Sequence, residues 1–159
     1  MTSDERRQKI ESYGRAYETL SEALKQFPRE MWHCQPAEGW SIHEIVMHIA
    51  DSEANSFVRC RRLIAEPGSP VLGYDENQWA KALRYDTQSA GDALELFKWL
   101  RRASYNLIKA QPDSVASHVI HHSENGPMTF DDWLDAYERH IPEHVAQMQR
   151  GYTEWKAKQ

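Results

Sequence analysis

Residues 129–152 read TFDDWLDAYERHIPEHVAQMQRGY, and the fold can be read outward from them. Thr129 with Asp132 three positions on is a helix start, a hydroxyl cap with an acid in the first turn. Trp133, Tyr137, Ile141, Val145, Met148 and Tyr152 then recur at helical spacing, so the segment is a long amphipathic helix ending near Tyr152. His140 and His144 lie beside that stripe, one turn apart on one face. Two imidazoles turned toward a core must be hydrogen-bonded or metal-bound, because unsatisfied buried polar groups are costly. Pro142 between them removes one helix hydrogen bond, and a kink is expected there.

Residues 113–128 read as a long connection carrying His118, His121 and His122, with Gly126 and Pro127 just before the final helix. A third helix is expected from the cap pattern Ser89–Asp92 to about Ala110, with Ala93, Phe97, Leu100, Ser104 and Leu107 inward and Pro112 as its stop. Residues 66–88 form a crossover with one short helical piece near Glu76 to Leu83. A second helix starts at Ser41, whose spacing to Glu44 is that of a capping box, with Trp40 as a staple against Ile45. Its inward stripe Ile42, Ile45, Ile49 turns polar at Ser52, Glu53 and Ser56 before Cys60, Leu63 and Ile64, as expected of a helix lining a polar pocket. A first helix is expected over about Asp4 to Phe27, with a seam of Ile10, Tyr13, Tyr17, Leu20, Leu24 and Phe27.

Four long helices without a convincing strand pattern predict an all-α four-helix bundle, with residues 1–159 as one domain. The net charge of −5 argues against a broad phosphate-binding surface, so no nucleic-acid partner is expected. No apolar run is long enough to cross a membrane, and the first residues, MTSDERRQK, lack a signal-peptide core; a cytoplasmic location is expected. Cys34 and Cys60, without motif spacing, read as free thiols.

With eight histidines in the chain, an H-x-x-x-H pair alone is a weak signal. A third histidine strengthens it. His48 stands at the edge of the polar break, about 10 Å from the start of its helix at ~1.5 Å per residue. His140 and His144 stand about 12–18 Å before the end of theirs by the same rise. Antiparallel second and fourth helices would bring all three to one depth. His43 reads as a first-turn surface residue and His33 as a loop residue. His121 and His122 are rivals able to reach the bundle mouth. Asp51 and Glu53 read as hydrogen-bond partners of the ligands, and Arg59 as a partner of Glu53 or a residue facing water.

The stretches GWSIHEIVMHIADSE (39–53) and HHSENGPMTFDDWLDAYERHIPEHVAQM (121–148), joined by an arginine-rich turn and a YD-containing crossover, resemble the DinB-like superfamily, also called the YfiT-like metal-dependent hydrolases. The resemblance covers roughly residues 13–150. It implies an up-down-down-up bundle, which makes the second and fourth helices antiparallel. It also implies a metal triad at His48, His140 and His144, nickel or zinc as the usual ion, and a homodimer. Trp99 and Trp155, which the seams do not clearly bury, are surface candidates for that dimer. Some relatives are transferases that use the low-molecular-weight thiols bacillithiol or mycothiol.

Three neutral imidazoles with open positions suit a divalent transition ion, zinc or nickel, with iron or copper compatible, and suit magnesium or calcium poorly. Such an ion lowers the pKa of a bound water or holds a thiol as thiolate. Two function classes follow. One is a metal-dependent thiol S-transferase acting on small electrophiles, with a hydrolase as its nearest variant. The other is a non-catalytic metal-binding bundle for sensing or protein contact. Because binding needs neutral histidines, metal affinity is expected to fall below about pH 6.5.

Overall fold

The computed structural model describes residues 1–159. It contains helices α1 (Ser3–Gly14), α2 (Ala16–Leu24), α3 (Ile42–Ala65), α4 (Glu76–Ala82), α5 (Ala90–Lys109) and α6 (Phe130–Lys156). The capping boxes expected from sequence start α3 and α6: the Ser41 and Thr129 hydroxyls accept the N–H groups of Glu44 and Asp132, and the acids reach back to the cap backbones. The Ser89 hydroxyl caps α5 by accepting Asp92 N–H, without the reciprocal bond, and Asp75 caps α4 through Gln78 N–H. α6 runs through Pro142 without interruption, because that ring lies on the exposed side.

The four long rods are α1 with α2, α3, α5 and α6. Side-chain pairs fix their directions. Arg6 meets Asp131 and Ser12 meets Glu138, so the first rod and α6 run parallel. His48 meets His140 and Arg59 meets Tyr137, so α3 and α6 are antiparallel. Tyr17 packs on Phe97 and Tyr105 reaches Glu11, so the first rod and α5 are antiparallel. The result is an up-down-down-up four-helix bundle, in which α3 and α6 face each other along one side.

Three features depart from the sequence reading. The expected first helix is broken into α1 and α2 at Arg15. At Arg15 the backbone leaves helical geometry (φ −87°, ψ 3°), and the adjacent Gly14 sits against the Tyr105 ring of α5, where a Cβ would lie only 2.6 Å from its nearest atom. The connection before α6 is not structureless: a 3-10 turn, Asp113–Ser117, leads into strands β2 (Val119–His122) and β3 (Gly126–Thr129), joined by a tight turn. β1 (Pro70–Val71) pairs parallel to β2, giving a three-stranded sheet of order β1-β2-β3. This sheet pins the crossover to the base of α6. Finally, α5 buries Ala93, Phe97, Arg101, Ser104 and Ile108, while Leu100 and Leu107 are half-buried, Leu107 packing against the core edge.

Arg101 explains the polar break of α3. Its guanidinium donates to Glu53 at 2.6 Å, with both side chains 1 % exposed. Glu53 also accepts from the Tyr13 hydroxyl at 2.9 Å, and Arg101 donates to the Tyr13 and Tyr137 carbonyls. Glu53, Arg101, Tyr13 and Tyr137 thus form a buried polar knot joining all four rods, with Ser52 and Ser56 buried on the same helix as Glu53. Apolar clusters flank it, one around Leu20, Ile45, Ile49 and Phe97, the other around Tyr13, Leu63, Ile120 and Trp133.

Candidate metal centre

His48 lies in the second turn of α3, where the Ser41 box fixes the helix start and Ile45 and Ile49 commit the face inward. His140 and His144 project from the middle of α6 toward it, held there by buried Tyr137, Ile141 and Met148. The three donor atoms lie within 4.8 Å of one another, a grouping that could hold a metal ion. His140 Nε2 is 3.3 Å from His48 Nε2 and 3.1 Å from His144 Nε2.

The two separations at His140 are those of neighbouring ligands on one ion. Metal–nitrogen bonds of about 2.0–2.1 Å put neighbouring nitrogens about 3.3 Å apart in a tetrahedron and about 2.9 Å apart in an octahedron. Hydrogen bonding alone does not account for the cluster. A neutral ring nitrogen carries one lone pair or one proton, so His140 Nε2 cannot serve both neighbours well. Burial pushes all three imidazoles below the usual histidine value: His48 to about 3, with the charge on His144 adding to the effect, His140 well down, and His144 in the same direction. All three are therefore neutral near pH 7, the form that binds metal.

The supporting contacts differ from those expected. His144 Nδ1 donates to Gln147 Oε1 at 3.0 Å, which leaves the Nε2 lone pair facing its neighbours. Trp40 packs on His48 at 4.8 Å between ring centres, and Tyr137 on His140 at 6.1 Å. Trp40 also donates to Asn77 Oδ1 on α4. Asp51 and Glu53, expected to orient the histidines, are engaged elsewhere. Asp51 accepts from the Tyr85 hydroxyl, and Glu53 belongs to the Arg101 knot. His48 Nδ1 is buried without a partner in the chain.

The remaining histidines stand apart from this group. His43 is 5 % exposed, not a surface residue; its Nε2 donates to the Tyr85 carbonyl at 2.8 Å, and exposed His33 stacks on it. His118 donates to the Leu63 carbonyl. His121 is exposed on β2, while His122 is buried and accepts from the Glu124 and Asn125 N–H groups in the hairpin turn. Arg59 neither pairs with Glu53 nor faces water: it is buried and donates to the Tyr137 hydroxyl and the Leu72 carbonyl. Burial pushes the Cys60 thiol up to about 12, so it is no nucleophile.

One neighbour was not anticipated. Glu76, the first residue of α4, places Oε1 4.0 Å from His48 Nε2. Burial raises its carboxyl above the ordinary value, while Arg59 pulls the other way. The sequence carries a weak signal for it: an acid just after a cap, inside a crossover too long to be a simple link. A cavity of about 400 Å³ lies behind Trp40 and Gln147, the residues that touch His48 and His144, with Pro36, Glu38, Arg150 and Glu154 among its other walls and none of the three histidines lining it. No helix is long and apolar enough to cross a membrane.

Comparison with known proteins is consistent with this architecture. The "Putative metal-dependent hydrolase YfiT" of Bacillus subtilis is 26 % identical over 109 residues, covering 68 % of this chain and 61 % of the relative. A relative from Oceanobacillus iheyensis carrying the same description is 25 % identical over 108 residues, covering 68 % of this chain and 62 % of its own length. The chain thus spans about three fifths of each. The solved structure of YfiT, described as "a probable metal-dependent hydrolase with an unusual four-helix bundle topology", superposes with a TM-score of 0.86 over 94 % of this chain and 87 % of YfiT, at 21 % identity. The sequence model of the DinB superfamily matches residues 12–148, nearly the whole bundle, and the chain belongs to that superfamily.

Proposed function

We propose that the protein is a metal-dependent S-transferase that joins a low-molecular-weight thiol, of the bacillithiol or mycothiol type, to small electrophilic molecules. His48, His140 and His144 hold one divalent transition ion, zinc or nickel. The observation that carries this reading is the convergence of three neutral imidazoles whose donor atoms lie within 4.8 Å of one another, with His140 3.1–3.3 Å from both of the others. An ion bound there supplies a positive centre that favours thiolate over thiol at neutral pH. The chain's own residues do the rest. Gln147 sets the ring orientation of His144, Trp40 shields His48 from water, and the cavity behind them has room for a small molecule. No fourth side chain is grouped with the three donors, which favours a site that accepts an exogenous ligand over a closed structural site. Residues 1–159 act as one domain, in the cytoplasm, as a homodimer.

Hydrolysis by a metal-bound water is the second reading, favoured by the descriptions of the relatives. The test separates the two. Protein loaded with zinc or nickel is mixed with monochlorobimane and cysteine, bacillithiol or mycothiol, and conjugate formation is followed by fluorescence. Acceleration over the uncatalysed rate, lost in His144→Ala, is expected. Absence of acceleration with every thiol, alongside turnover of ester or amide substrates, would replace the transferase with the hydrolase.

A further inference from the structure

We infer that the cavity between α3, β1 and α4 binds a small organic anion, a carboxylate carried on an apolar body, with Arg59 taking its charge. The cavity is about 400 Å³, and none of the three triad histidines lines it. Arg59 lies in its wall and is only 9 % exposed, so its guanidinium is largely removed from water. The Tyr137 hydroxyl at 2.9 Å and the Leu72 carbonyl at 2.7 Å accept two of its five N–H groups and hold it in place. Neither acceptor is a carboxylate. The acids nearby are engaged elsewhere: Glu53 pairs with Arg101, Glu66 with Arg62, and Glu76 approaches His48. A buried cation without a counter-ion is costly, and a cavity that keeps one in its wall is suited to receive an anion. The charge is felt by its surroundings: burial, and after it Arg59, push the His122 imidazole below its ordinary value.

The other walls define what the anion is attached to. Val58 and Leu72 stand at the rim, 52 % and 77 % exposed, apolar side chains that a bound molecule would cover. Trp79 forms the α4 wall, held by packing on Tyr74 at 4.4 Å between ring centres. Arg62, one turn beyond Arg59 on α3, adds a second cation on the solvent side. The unused N–H groups of Arg59 suit the two oxygens of a carboxylate, which match the planar fork of a guanidinium. The volume lies at the small end of ligand pockets, about 300–1,000 Å³, and so fits a small molecule. Because no triad histidine takes part, binding here does not require the transferase chemistry.

The test is isothermal titration of the zinc-loaded full chain with 3-phenylpropionate near neutral pH and at low salt. Saturable binding is expected, with the uncharged 3-phenylpropanamide at least about tenfold weaker. Arg59→Met should weaken the carboxylate by a similar factor. Val58→Glu does the same from an exposed rim position, by setting the chain's own carboxylate in the mouth, and keeps the test decisive where the buried substitution impairs folding. His144→Ala should bind the probe like the parent. Equal binding of acid and amide, or parental affinity in Val58→Glu, overturns the inference. Loss of binding in His144→Ala also overturns it, by placing the carboxylate on the metal. A parent chain that binds no 3-phenylpropionate overturns it and leaves the metal and transferase readings standing.

Discussion

Glu53 and Arg101, 48 residues apart in the chain, form a 2.6 Å ion pair at the centre of the bundle, with both side chains 1 % exposed. Removing one partner leaves a desolvated charge without compensation. Arg101→Met alone should cost about 3–5 kcal/mol, and Glu53→Gln combined with Arg101→Met should recover much of that loss. Urea unfolding of the single and double variants measures both. A single variant within about 1 kcal/mol of the parent would mean that the knot contributes little.

Metal content should follow the triad. His48→Ala and His144→Ala should each fall well below one ion per chain by elemental analysis after loading with zinc, with the helical spectrum retained. Gln147→Ala removes the acceptor of the His144 Nδ1 proton and should weaken binding about tenfold without abolishing it. Full stoichiometric metal in His144→Ala would reject the assignment.

Acid should destabilise the metal-free protein before it titrates the folded site. The His48 imidazole falls from the usual 6.5 to about 3 on folding. Between those values the unfolded chain binds a proton that the folded chain refuses. The stabilisation is complete above about pH 6.5 and is lost progressively as the pH falls toward 3. Thermal melts of the metal-free protein should show a midpoint that drops over this window, with a shallower slope in His48→Gln. The same depression moves the proton competition for metal in the folded chain below the value of about 6.5 expected for ordinary histidines. Equal slopes for parent and variant would contradict this origin.

Self-association should use the outer face of α5. Trp99 is 54 % exposed and Leu96 47 %, neighbours on one helix, whereas Trp155 packs against the core and drops out as a contact. Light scattering should give a dimer mass for the parent and a monomer mass for Trp99→Glu. A parent that stays monomeric across a wide concentration range would remove the dimer from the proposal.

The helix frame was legible because its signals are local. Ser41 with Glu44, Ser89 with Asp92 and Thr129 with Asp132 announce their helix starts within four residues, and the short helix at Glu76 lies where its Asp75 cap puts it. His48, His140 and His144 could be singled out because two lie one turn apart and the third stands at the edge of the polar break in the α3 stripe. What failed to show depends on partners distant in sequence. β1 is two residues long and exists only by pairing with His121 and His122. Arg101 reads as a surface charge until Glu53 is seen opposite it. His43 is buried because Tyr85 offers a carbonyl 42 residues away. The break of the first rod at Arg15 lies beside Gly14, where Tyr105 packs from about 90 residues away, and nothing local in the sequence announces it. Glu76 has no neighbour in the sequence that points to His48.

The wide sequence separation between the triad's two sides has a consequence for biosynthesis. His48 precedes His140 by 92 residues, and the Glu53 side of the central knot waits for Arg101 and Tyr137 to be made. A nascent chain that has emerged only as far as α5 carries one member of the triad, His48, without the two that α6 brings. The three histidines can therefore come together only after α6 has emerged, and a chain stalled before α6 would lack two of them.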